Sequence, residues 1–112
     1  MIRNLSNGRT IAQNELIART FFQRLTGMLT RRFSNSLDAI VFENCNAIHT
    51  FGMRFPLDVI FVDNSSHVAA VCANVAPWKI VSVREKRCTT IELPAGTLSD
   101  SLCSIGDIIE IS

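Results

Sequence analysis

The run from Ile48 to Asp63, IHTFGMRFPLDVIFVD, sets four groups able to do chemistry, His49, Met53, Arg54 and Asp58, in an otherwise apolar stretch. Asp58 follows the extended start at Pro56, and strand alternation places it on the face of Ile60 and Val62. A carboxylate buried there without a partner is strongly unfavourable, so it must be paired, protonated or held at a rim. Arg24 and Arg54 are the candidate cations, because a guanidinium can engage a carboxylate through two parallel hydrogen bonds. As a strut, Asp58 would tie a strand to a helix or cap local backbone amides; as a general base, it would work beside an Arg holding an anionic substrate. The strut is the simpler reading. Glu92 in IELPAG alternates with Ile91 and Leu93 and is expected on the opposite strand face, near the outside or at a pocket rim. It is a second possible partner for Arg24 or Arg54.

His49 and Met53 are four residues apart and could, with Met28 and a cysteine, form a soft copper(I) site. No second His stands nearby, so a structural His49 ranks ahead of a ligand and no metal is expected. Cys45 lies close enough to His49 in sequence to consider a thiolate-imidazole nucleophile, yet no third, orienting residue accompanies them. The cysteines at 45, 72, 88 and 103 form no CxxC or CxxH pair, which argues against zinc and favours free thiols packed as small hydrophobes over disulfides. Neither GxGxxG nor GxxxxGK occurs, so no phosphate-bearing cofactor is expected. Trp78, after Pro77, is read as a core plug ahead of a pocket wall, and His67 as solvent-exposed beside a turn.

The elements that must position these groups are mostly strands. Asn7 and Gly8, between Ile2–Leu5 and Thr10–Ala12, predict an opening β-hairpin. Another extended piece is expected near Leu16 to Ala18. Thr20 and Gln23 have capping-box spacing, and Phe21, Phe22, Leu25, Met28 and Leu29 follow at helical intervals, predicting one short helix near residues 21–30. Strands are then expected at 39–43, 56–62, 68–75, 89–93 and 107–111, with Asp63 to Ser66 turning one hairpin. The fold class is therefore mainly β, or α+β: a compact, sandwich-like β-barrel of short, mostly antiparallel strands with that one helix.

A chain of 112 residues without repeat or linker suits a single domain, 1–112. Hydrophobic residues make up 47% and charged ones 19%, which excludes a disordered tail. A net charge of +1 provides no field to gather phosphates, so nucleic acid is not expected as a partner. No apolar run approaches the roughly 20 residues of a membrane-spanning helix, and the N-terminus carries no secretory signal, making a cytoplasmic location the expectation.

The segments LIARTFFQRLTGMLTR (16–31), IHTFGMRFPLDVIFVD (48–63), VAPWKI (75–80), IELPAGT (91–97) and GDIIEI (106–111) resemble, in order and spacing, domain of unknown function family 192. The resemblance is most specific at Met53 and Leu57-Asp58, with support from Arg24, Gly27, Met28, Glu92, Leu93 and Gly96. It implies a small β-rich sandwich-like barrel with a short helix, without an assigned activity, substrate or catalytic residue. The IHTF and GM pattern resembles a bacterial subgroup that often accompanies pilus or secretion assembly genes. Gly52 stands where many members have Trp, and Met28-Leu29 where many have Leu-Met, which weakens any aromatic wall here.

Three functional readings follow. The first is a non-enzymatic binding or accessory module, with Arg24, His49, Met53, Arg54, Asp58 and Glu92 as candidate contacts to a small ligand or peptide segment. The second is a small hydrolase or lyase with Asp58 or His49 as general base. In the third the motif is purely structural and function lies on another surface.

Overall fold

The computed structural model describes residues 1–18, 33–99 and 101–112. Its centre is β6 (Leu57–Val62), where β-branched and aromatic residues are buried on both faces. Pro56 precedes this strand, and the Asp63 carboxylate ends it by accepting the Ser65 and His67 amides at 2.9 and 3.0 Å. The chain then returns antiparallel as β7 (Val68–Val75). On the other side of β6 runs β9 (Thr89–Pro94), followed in the sheet by β4 (Ala39–Phe42) and β3 (Glu15–Ile17). The five strands are ordered β3-β4-β9-β6-β7, and β3 and β4 form its parallel pair.

Asn7-Gly8 turns the hairpin of β1 (Ile2–Asn4) and β2 (Arg9–Ala12), where Gly8 has the positive φ of 75° that a tight turn favours. With β10 (Ile109–Ile111) this hairpin forms a three-stranded sheet, β10-β1-β2. The third sheet pairs β5 (Ala47–His49) with β8 (Ile80–Ser82), two short strands with no clear sequence period.

Side chains alternate between two apolar clusters on the faces of the five-stranded sheet. Val41, Ile60, Val62, Ile91 and Leu93 meet Ile2, Ile11 and Ile109 of the three-stranded sheet. On the reverse face, Ile40, Phe42, Leu57, Val59 and Phe61 meet Met53 and the inward side chains of the β5–β8 ribbon, Ile48 and Val81. The result is layered: three-stranded sheet, five-stranded sheet, ribbon.

The expected barrel is not what forms. Among the described residues the large sheet ends at β3 and β7, and the remaining strands segregate into two separate sheets, of which the three-stranded one meets it at one corner through the His67–Ile108 bridge. Closing a barrel would require continuous pairing around the circumference, whereas here each face of one central sheet is covered instead. The helix expected near 21–30, and Arg24 with it, lie outside the described residues.

Candidate functional site

Asp58 sits 1% exposed in β6, opposite Leu93 and on the face of Ile60. The β6–β7 ladder is irregular there: Leu57 faces Val75 and Val59 faces Cys72, so β7 carries an extra residue opposite Asp58. The bulge puts Asn74 at a φ of 54° and frees its amide, which donates to Asp58 Oδ1 at 2.8 Å. The second oxygen, Oδ2, accepts the Leu98 amide at 2.8 Å, from the turn following β9. The carboxylate thus caps two orphaned amides and ties a bulge to a turn. Among the described residues it has no ion pair, and Arg54 is exposed elsewhere. A cavity of about 400 Å³ adjoins Asp58 between Asn74 and Leu98. Its acidic wall is already engaged on both oxygens.

Glu92 is placed differently. Its Cα partners are Ile40 in β4 and Val59 in β6, which put it on the reverse face, in the apolar cluster with Met53, Leu57 and Phe61. The expected alternation with Ile91 and Leu93 holds, but the position near the outside does not: Glu92 is 6% exposed. The ribbon layer covers a face that a two-layer fold would have left to solvent. No hydrogen bond or ion pair reaches its carboxyl from the described residues, and burial pushes it up from 4.5 to about 7. Its neighbour on this face, Thr90, is by contrast satisfied, donating to the Cys45 carbonyl at 2.6 Å.

The other candidates among the described residues do not converge on Asp58. Met53 is buried in the cluster that flanks Glu92. His49 stands exposed on β5 opposite Ile80, its Nδ1 accepting the Phe51 amide at 3.3 Å. The Cys45 thiol donates to the Ala47 carbonyl, and the cysteines at 45, 72, 88 and 103 are free. No group of three His, Cys, Asp or Glu side chains among the described residues could hold a metal ion.

One feature has little signature in sequence. Trp78 is not a core plug: it is 68% exposed and stacks on Phe51, ring centroids 5.9 Å apart, while Phe51 leans on His49 at 5.2 Å. Ile80, 69% exposed, completes the strip. Trp78 has a φ of 66°, a left-handed backbone that costs a bulky residue roughly 1–2 kcal/mol. Buried Thr50 enforces it: its carbonyl accepts the Trp78 amide, while its hydroxyl accepts the Lys79 amide and donates to the Ala76 carbonyl. The strain and exposure depend on contacts across the ribbon.

The chain belongs to domain of unknown function family 192, described as "Uncharacterized ACR", which matches residues 3–111. A UPF0127 protein of Thermococcus sibiricus is 32% identical over 114 residues, covering 98% of this chain and 73% of the relative. Two crystal structures share the fold. A protein of unknown function from Novosphingobium aromaticivorans aligns with a TM-score of 0.78 at 20% identity, over 98% of this chain and 81% of its own. A candidate transcription regulator from Sinorhizobium meliloti 1021 aligns with a TM-score of 0.80 at 25% identity, over 97% and 90%.

Proposed function

We propose that this member of family 192 is a non-enzymatic binding or accessory module, its recognition point being the Glu92 carboxyl among the apolar side chains around Met53. The observation carrying this reading is a carboxyl 6% exposed that has no polar partner among the described residues. Apolar surroundings disfavour the charged form of such a group, and carboxyls perturbed in this way concentrate at functional sites. With a pKa raised to about 7, Glu92 could offer either a proton or a lone pair to an amine, an amide or a peptide N–H. A peptide segment would suit the accessory role in pilus or secretion assembly that the family resemblance suggests.

The raised carboxyl also keeps a hydrolase or lyase reading open, with Glu92 in place of Asp58 or His49 as the base. Asp58 is less suited to that role, because both its oxygens accept backbone amides.

A panel of amines, amides and short peptides, screened by thermal shift against wild type and Glu92→Gln, tests the module. The expected hit raises the wild-type midpoint by several degrees and leaves the variant unmoved; equal shifts for both proteins across every hit would remove Glu92 from the site. Turnover lost in Glu92→Gln would instead favour the enzymatic reading.

A further inference from the structure

We propose that the strip of His49, Phe51, Trp78 and Ile80 docks this protein peripherally on an anionic lipid bilayer. The three large apolar side chains are 41%, 68% and 69% exposed for Phe51, Trp78 and Ile80, and they project from one end and the outer face of the β5–β8 ribbon. Their arrangement is built: Thr50 holds the Ala76–Lys79 turn by the bonds described above, keeping a tryptophan in a left-handed backbone with its ring outside the core. A strained residue with an outward apolar ring marks a surface held for contact.

Charge identifies the partner. No acidic residue occurs from Asn44 to Leu57 or from Val75 to Arg84, while Arg54, Lys79 and Arg84 are exposed. None of the three is in an ion pair among the described residues. An apolar tip with exposed Arg54 and Lys79 close to it in sequence, and the next acids, Glu43 and Glu85, only beyond these stretches, fits anionic headgroups above acyl chains, and a Trp ring suits the boundary between them. Neither described cavity is lined by these side chains, which stand exposed at the ribbon's surface. A fluid bilayer can close around such a projection, as a rigid acidic protein surface cannot.

Trp78 is the single tryptophan, so its fluorescence reads the contact. Phosphatidylcholine vesicles containing phosphatidylglycerol are expected to shift its emission to shorter wavelength, with quenching by brominated acyl chains; pure phosphatidylcholine should do neither. Trp78→Gly suits the left-handed backbone and should fold, yet is expected to bind anionic vesicles about tenfold more weakly in flotation. Arg54→Glu with Lys79→Glu should weaken binding by about tenfold or more. Absence of quenching, or flotation of Trp78→Gly equal to wild type, overturns the proposal. So does binding of a polyglutamate peptide with no vesicle quenching, which would assign the strip to an acidic protein segment. Emission already blue-shifted with rising concentration in lipid-free protein would assign it to contact between copies, and also overturns it.

Discussion

Asp58 and Glu92 are both almost wholly removed from solvent, and their carboxyls meet opposite surroundings on opposite faces of one sheet. Asp58 accepts two amides, whereas Glu92 accepts nothing from the described residues. The consequence for Glu92 is a pH-dependent stability whose sign follows from proton binding. The unfolded chain releases this proton near 4.5, but the folded chain holds it to about 7. Glu92 therefore favours folding fully only below about 4.5, and that contribution is lost as pH rises through about 7. The loss is on the order of 3 kcal/mol, and urea midpoints of Glu92→Gln should lack it. A wild-type profile that is parallel to the variant's between those pH values would refute a carboxyl raised by burial. Legibility differed between the two residues: the face of each followed from period two in β6 and β9, but the burial of Glu92 depended on a third layer supplied by residues distant in sequence.

At the scale of elements, Asp58 joins the β7 bulge to the Pro94–Ser99 turn, contacts separated by 16 and 40 residues. An Asn there keeps one acceptor oxygen and turns an NH₂ toward the other amide, so one donor loses its partner. Asp58→Asn is expected to destabilise by about 2–4 kcal/mol, read from the urea midpoint. A change under about 0.5 kcal/mol would mean that water or a shifted loop takes over the second amide. PLDVIF signalled a carboxylate needing partners, and arginines were the natural candidates. Backbone amides won because a bulge leaves its extra residue out of the ladder, and sequence carries no mark of which strand will bulge. The same limit applies to Trp78, whose exposure is set by Thr50 across the ribbon.

Across the whole molecule, the five-stranded sheet is covered on both faces; its strands β4 and β6 contribute to both apolar clusters, and β9 contributes Ile91 and Leu93 to the first. Among the described residues the β5–β8 ribbon pairs only with itself, and it buries one face. Native-state hydrogen exchange should therefore divide the chain: β4, β6 and β9 amides exchange through global unfolding, and the ribbon amides through a smaller local opening. Equal free energies for the two groups would show that the ribbon is as integral to folding as the central sheet. Among the described residues no helix is long and apolar enough to cross a membrane. Contact with a bilayer, as inferred above for the aromatic strip, would thus use the ribbon's outer surface.

By itself the sequence determined the β-rich class, the Asn7-Gly8 hairpin, the β6–β7 hairpin and the faces of Asp58 and Glu92, because turn chemistry and period two act over a few residues. The division into three sheets, the amides that hold Asp58, the cover over Glu92 and the outward Trp78 were decided by tertiary structure alone. Each depends on which distant strands share an edge or a face, and that choice is made by packing the whole chain at once.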